Sequence, residues 1–82
     1  MTPQEIIDKI VSVHPEYKYN LVQTLLTGVY FRYDTDDNTV KENESMYFDI
    51  AEEFNALGLE IFDLCIEHDC ISFNIREKAD GG

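Results

Sequence analysis

The side chains that most clearly suggest a function are carboxylates, and they are concentrated in the middle of the 82-residue chain. Residues 34–69 hold twelve of the 17 Asp and Glu residues but one of the six Lys and Arg residues. This segment therefore carries the whole net charge of −11, while residues 1–33 and 70–82 are each neutral. Like charges at close spacing repel one another, so this asymmetry favours a surface that binds a positively charged partner.

The predicted acidic surface combines a polar loop with two segments of predicted helix. One cluster of acids follows residue 33, a second is on the third predicted helix, and a third has the helical spacing i, i+3, i+7. Phe48 falls among the acids of the third helix, where it would be a contact anchor if exposed, or a core residue if that helix starts later. The predicted partner-binding residues are Asp34, Asp36, Asp37, Glu42, Glu44, Phe48, Asp49, Glu52, Glu53, Glu60, Asp63 and Glu67.

Carboxylates spaced along a loop and helices can imitate the phosphates of a nucleic acid. The preferred hypothesis is a non-enzymatic protein that occupies the nucleic-acid-binding surface of a partner protein and inhibits it. Direct binding to nucleic acid or to an anionic membrane is disfavoured, because the six basic residues are scattered along the chain. In size and net charge alone, the chain is similar to small phage-encoded inhibitors, including DNA mimics, anti-restriction and anti-CRISPR proteins.

Two other hypotheses remain open. The acidic surface could serve only solubility or salt adaptation. Alternatively, the chain could be a small regulatory or scaffold domain that acts through an apolar patch, alone or as a homodimer.

The sequence does not indicate a catalytic site. Ser12 lies two residues before His14, a spacing that does not place the pair for nucleophilic catalysis. The GxSxG, Walker, GxGxxG and HExxH motifs do not occur in the sequence. A domain of this size also has little room for a large substrate pocket. We therefore expect no enzymatic activity and no cofactor.

A calcium site is not expected in the acidic loop. Asp34, Asp36 and Asn38 match the first three ligand positions of a calcium-binding loop. Thr39 then stands where the tight-turn glycine belongs, and Ser45 stands where the bidentate glutamate belongs. An ordinary Asp-rich turn explains the pattern.

A zinc site is not expected either. Cys65, His68 and Cys70 are close in sequence, but a structural zinc needs four ligands, and the other histidine, His14, is far away. The N-terminus lacks the basic region and apolar segment of a signal peptide, and the longest apolar run is far short of the roughly 20 residues that cross a bilayer. We therefore predict a cytoplasmic protein with reduced cysteines.

Two helices are predicted before residue 28. Thr2 is a candidate N-cap, Pro3 the first helical residue, and Glu5 completes a capping box, with the helix ending at His14 before Pro15. A second helix is predicted from Pro15, because apolar residues recur at spacings of three and four. Its apolar face would hold Tyr17, Leu21, Val22, Leu25 and Leu26, with Gly28 as its C-terminal stop.

The rest of the chain combines helices with short strands. Residues 29–33 favour a strand, although the second helix could instead continue through them. The third helix has a capping box of Thr39 and Glu42, with Ser45 as the alternative cap. Its apolar face comprises Tyr47, Ile50, Ala51, Phe54 and Leu57, and it ends at Gly58.

Residues 59–68 are predicted to form a fourth helix, because in a strand Asp63 would share a face with Ile61 and Cys65. Residues 70–76 alternate as a half-buried strand does. These elements predict an α+β fold: a mostly helical single domain at residues 1–78, with a sheet of two to three strands, and a flexible tail at residues 79–82. A helical bundle with an extended C-terminus is the alternative.

Overall fold

The computed structural model describes residues 1–24 and 28–79. The elements follow one another as α1 Pro3–Val13, the 3-10 turn η1 Pro15–Tyr17, β1 Leu21–Thr24, β2 Gly28–Asp34, α2 Val40–Ala56, β3 Leu59–Ile66 and β4 Cys70–Glu77. The α+β prediction is confirmed, and the helical bundle is excluded. The sheet has four strands rather than two or three, and the helices do not dominate the chain.

The four strands form one antiparallel sheet in the order β1-β2-β4-β3. Because β4 lies between β2 and β3, helix α2 connects two strands that are not neighbours. Both helices lie on one face of the sheet, since Ile10 of α1 and Phe54 of α2 belong to the same buried cluster as inward residues of the strands. We call the opposite face, which carries Arg32 and Arg76, the outer face.

The core is built around packed aromatic rings. Phe31 and Phe73, paired across β2 and β4, are fully buried and stack with their centroids 4.6 Å apart. Phe54 of α2 meets both rings edge-on, at 5.7 and 5.9 Å. Tyr17 of η1 lies edge-on to Phe31 at 5.4 Å. Each such ring buries roughly 150–250 Å², which explains how a chain of this size forms a core while both cysteines are free.

Both predicted capping boxes are present. Thr2 Oγ1 accepts a hydrogen bond from the Glu5 N–H, and the Glu5 carboxylate accepts one from the Thr2 N–H. Thr39 and Glu42 repeat the arrangement at the start of α2. Because these bonds favour the ionised carboxylates, they lower the pKa of Glu5 and of Glu42.

The second predicted helix is wrong. Residues 15–17 form a single 3-10 turn, and residues 21–24 form the edge strand β1. Residues 25–26, at the end of the predicted apolar face, lie outside the described residues. With four residues, β1 is too short for a period-two alternation to stand out against helical spacing. Strand β2 confirms the strand predicted at residues 29–33.

The fourth predicted helix is also wrong, because the segment is strand β3 with a β-bulge. The pairing with β4 skips from Phe62 to Cys65, so Asp63 and Leu64 together oppose Phe73. Asp63 has a φ of 54°, the left-handed conformation found at the first residue of one type of bulge. The extra residue interrupts the alternation of inward and outward side chains. The sequence of β3 therefore does not show the period of two that indicates a strand.

The third helix and the last strand follow the predictions. Ile50 and Phe54 of α2 are buried, as are Ile71 and Ile75 of β4. Gly58 follows α2 with a φ of 79°, as expected of a helix-ending glycine. Of the tail predicted at residues 79–82, residues 80–82 lie outside the described part of the chain. In that described part, neither helix is both long and apolar enough to cross a membrane.

Candidate protein-binding surface

Helix α2 presents an acidic strip to solvent with an aromatic ring at its centre. Phe48 is 66% exposed and lies four residues from both Glu44 and Glu52, so each acid is one turn away on the same side of the helix. Asp49, next in sequence, is exposed as well. We call Glu44, Phe48, Asp49 and Glu52 the α2 strip. Within residues 1–24 and 28–79, its three acids form no ion pair.

The apolar side of α2 sets the orientation of this strip. Ile50 and Phe54 pack into the core, and the Tyr47 ring lies 5.9 Å from that of Phe73. Tyr47 also lies 5.7 Å from the Phe48 ring. The exposed ring therefore stands on a helix whose rotation is fixed by the core, beside a partly buried neighbour.

Glu53 adjoins the strip but has partners within the protein. Its Oε2 accepts a hydrogen bond from the Tyr17 hydroxyl at 2.8 Å and lies 3.7 Å from His14 Nδ1. Glu16 Oε2 lies 3.5 Å from the same nitrogen. Burial of the ring, followed by the hydrogen bond to Glu53, raises the pKa of Tyr17. Glu53 thus joins η1 to α2 and is only half-exposed.

The acids of the loop flank the N-terminal end of α2. Asp36 and Asp37 are exposed in the turn before the helix, and Glu42 is exposed in its capping box. Asp34 accepts a hydrogen bond from Arg32 Nε at 3.0 Å, so its charge is partly compensated. Asp36 and Asp37 therefore add negative charge near the start of the α2 strip.

Asp34 and Asn38, which match ligand positions of a calcium loop, form hydrogen bonds with different residues of the chain. Asp34 bonds Arg32, whereas Asn38 Nδ2 donates to Asn43 Oδ1 of α2 at 3.0 Å. The Asn38 contact ties the loop to the first turn of the helix.

The three acids predicted on a fourth helix do not form a helical row, and that prediction is wrong. They lie on or just beyond strand β3. Glu60 accepts a hydrogen bond from Arg76 Nε at 2.6 Å, and Asp63 is the exposed first residue of the bulge. Glu67 follows the strand and sits at its hairpin with β4. Exposed acids on one side of a helix are instead present on α2, where Glu44 and Glu52 each lie one turn from Phe48.

The sequence did not reveal the polar contacts that hold the β3–β4 hairpin. Asn43 is fully buried, and its Nδ2 donates to the Glu67 carbonyl at 2.5 Å. The backbone N–H of Thr35 donates to the Asp69 carbonyl at 2.7 Å. A sequence pattern for Asn43 did exist, because it lies seven residues before Ile50 and therefore on the core-facing side of α2.

The same hairpin collects metal-binding side chains. Ligand atoms of Glu67, Asp69 and Cys70 all lie within 4.8 Å of one another. Glu67 Oε1 lies 3.8 Å from Cys65 Sγ, and Glu67 Oε2 lies 3.9 Å from Cys70 Sγ. His68, the donor suggested by sequence alongside the cysteines, is exposed and does not join this group.

Ser12 and His14 do not form a catalytic pair. The Ser12 hydroxyl donates to the Lys9 carbonyl at 2.9 Å, whereas His14 Nδ1 faces Glu16 and Glu53. Glu16 of η1 and Glu53 of α2 both lie beside His14, and the three residues together connect these two elements.

No family model, curated protein or solved structure matches this chain.

Proposed function

We propose that this protein is a cytoplasmic, non-enzymatic binding protein whose α2 strip occupies a positively charged surface of a partner protein. The supporting observation is the 66% exposed ring of Phe48 between Glu44 and Glu52. An aromatic ring at the centre of a contact gains most from burial, while acids around it pair with basic residues of the partner. The strip combines both requirements on one rigid helix.

A surface kept only for solubility does not account for the strip as well. Exposed carboxylates improve solubility, but an exposed phenylalanine among them does not. In the described residues, the acids of the strip also have no ion pair with the protein's own basic side chains. They are therefore free to pair with an external cation.

The preferred partner is a protein that normally binds nucleic acid, which this protein would inhibit by displacement. Glu44 and Glu52 are two helical turns apart, about 12 Å along the axis. Over about 12 Å of axis, one strand of duplex DNA presents three to four phosphates. The acids of the strip, with Asp36 and Asp37 before it, supply a similar density of negative charge.

The test is a comparison of two variants that lose the same charge. Asp49→Asn with Glu52→Gln alters the strip, whereas Asp8→Asn with Glu77→Gln removes two acids elsewhere. A partner is captured from a native host extract with the wild-type protein, purified, and its dissociation constant measured for each variant. We expect the strip variant to associate more slowly and bind more weakly, and the control to bind like wild type.

Salt and competition complete that test. Binding should weaken between about 0.05 and 0.3 M salt, because exposed charges are screened over roughly 10 Å at 0.1 M. A duplex oligonucleotide should compete with the protein for the same partner. Equal losses in the two variants, or an affinity that does not respond to salt, would contradict the proposal, and failure of the oligonucleotide to compete would contradict nucleic-acid mimicry.

A second candidate function is that of a regulatory or scaffold domain that self-associates. It is favoured by Val22 of the edge strand β1, which is 55% exposed, and by the preceding Tyr19, which is 90% exposed. Light scattering after size exclusion distinguishes the two functions, since a dimer that persists at high salt and is lost in Val22→Asp supports self-association.

A further inference from the structure

The β3–β4 hairpin holds four groups that commonly bind transition metals, and the α2 strip uses none of them. Two are thiols, Cys65 and Cys70, and two are carboxylates, Glu67 and Asp69. The sequence alone offered two cysteines and a histidine, which is short of a complete ligand set. The fold brings the two carboxylates to the cysteines because β3 and β4 reverse direction between them.

We propose that Cys65, Glu67, Asp69 and Cys70 form a zinc-binding site. Two thiolates and two carboxylates make a four-coordinate set of the kind that suits Zn²⁺, whereas Mg²⁺ and Ca²⁺ prefer oxygen ligands alone. With Zn–S near 2.3 Å and Zn–O near 2.1 Å, ligand atoms around one tetrahedral ion lie roughly 3.4–3.8 Å apart. Glu67 oxygens lie 3.8 Å from Cys65 Sγ and 3.9 Å from Cys70 Sγ. Ligand atoms of Glu67, Asp69 and Cys70 all lie within 4.8 Å of one another, and Cys65 stands outside that group of three.

Rotation of exposed side chains brings the ligand atoms from these distances to those around a bound ion. Cys65, Glu67 and Asp69 are exposed at the end of the hairpin and are free to rotate toward an ion. Cys70 is buried and provides the fixed point of the site. The ion would therefore enter from solvent and complete its coordination against the Cys70 sulfur.

The backbone of the hairpin is held in place by buried groups around it. Asn43 binds the Glu67 carbonyl, Thr35 binds the Asp69 carbonyl, and the Glu67 N–H donates to the Cys70 carbonyl at 2.9 Å. Such outer contacts orient metal ligands before the ion arrives, which reduces the entropy lost on binding.

Zinc binding would be linked to pH. Binding of Zn²⁺ to two thiolates releases both thiol protons to solvent, and the affinity should therefore rise with pH. Arg32, which lies near Cys70, offsets part of the remaining negative charge of the ligand set.

The experiment uses Co²⁺ as a spectroscopic probe for the purified, reduced chain. We expect one Co²⁺ per chain at micromolar protein, with the near-ultraviolet absorption of cobalt–thiolate bonds and the visible bands of tetrahedral cobalt, both abolished by Zn²⁺. Cys65→Ser and Cys70→Ser should each lose most of the thiolate absorption. Asp36→Asn with Asp37→Asn, which removes two acids outside the hairpin, should leave it unchanged.

Two results would overturn the proposal. One is an octahedral, oxygen-ligated cobalt spectrum in the wild-type protein. The other is binding that the cysteine variants leave unchanged. Because Cys65 is exposed, its serine variant is expected to fold even if the buried Cys70→Ser substitution disturbs the core, and circular dichroism of each variant verifies this.

Discussion

The hydroxyl of Tyr17 donates a hydrogen bond to Glu53 Oε2 over 2.8 Å, and this contact joins the 3-10 turn to helix α2. The ring of Tyr17 packs edge-on against Phe31 and Phe54, so the residue is 8% exposed. Burial and the negative charge of Glu53 both oppose ionisation of the phenol and raise its pKa. One of the acids beside the α2 strip therefore stabilises the fold.

We expect the protein to lose stability as the pH rises above about 10, the usual tyrosine pKa in an unfolded chain. In that range the unfolded chain loses the Tyr17 proton while the folded protein keeps it. The free energy of unfolding then falls by about 1.4 kcal/mol per pH unit for this group. Urea unfolding of wild type and Tyr17→Phe across this range measures the effect, and equal slopes in the two proteins would show that Tyr17 is not responsible.

The same substitution should also have an effect at neutral pH. Tyr17→Phe removes the donor to Glu53 and leaves its half-buried carboxylate with one contact fewer. A loss of about 1 kcal/mol is expected for such a bond. Glu53→Gln can still accept from the hydroxyl, so it serves as the milder comparison in the same unfolding series.

Two phenylalanines provide a matched test of the core and of the surface. Phe73→Ala should lower the free energy of unfolding by about 3–5 kcal/mol, because its fully buried ring stacks on Phe31. Phe48→Ala should change it by less than about 0.5 kcal/mol, because that ring is 66% exposed. Thermal and urea unfolding measure both variants. A similar loss in both would show that Phe48 supports the fold and is not available to a partner.

The bulge in β3 can be tested through Asp63. Its φ of 54° is disfavoured for a residue with a Cβ and costs roughly 1–2 kcal/mol, although Asp and Asn tolerate it better than most. Asp63→Gly should therefore leave stability unchanged or raise it, and Asp63→Val should lower it. Asp63→Asn keeps the tolerance while removing the charge, so its unfolding free energy separates the backbone effect from electrostatics. Equal stability of the glycine and valine variants would contradict a left-handed residue at this position.

The elements that could be predicted are those whose structure is determined by residues close to one another in the sequence. The capping residues Thr2 and Thr39 indicate where both α-helices begin. The alternation of β4 is regular because Ile71, Phe73 and Ile75 point to the face of the sheet that packs in the core. Strand β3 could not be predicted, because the extra residue of its bulge at Asp63 breaks the period-two alternation that indicates a strand. Helical periodicity placed Phe48 among the acids of α2 but left its exposure open, and the structure shows the ring 66% exposed.

The composition of the hairpin cluster could not be predicted for the same reason. A helix at residues 59–68 would place Glu67 with Glu60 and Asp63 on a single acidic face. In the strand, Glu67 instead comes between the thiols of Cys65 and Cys70. Because residues 59–68 form a strand and not a helix, Glu67 belongs to the β3–β4 hairpin and not to an acidic helix face.

Glu60 on strand β3 is separated by the fold from the acids of the α2 strip. Its carboxylate accepts a hydrogen bond from Arg76 Nε at 2.6 Å, and the guanidinium also lies 4.4 Å from the centre of the Phe62 ring. The pair is partly exposed, so Glu60→Gln should lower the free energy of unfolding by about 0.2–1 kcal/mol.

Glu52→Gln is the matched control, because it makes the same chemical change at an acid without an ion pair in the described structure. Relief of repulsion between neighbouring acids should leave its stability unchanged or slightly raised. The difference between the two variants should shrink in high salt, since the Arg76 pair is open to solvent. Urea unfolding at low and high salt measures this difference, and identical behaviour of the two variants would show that Glu60 is as uncompensated as the acids of α2.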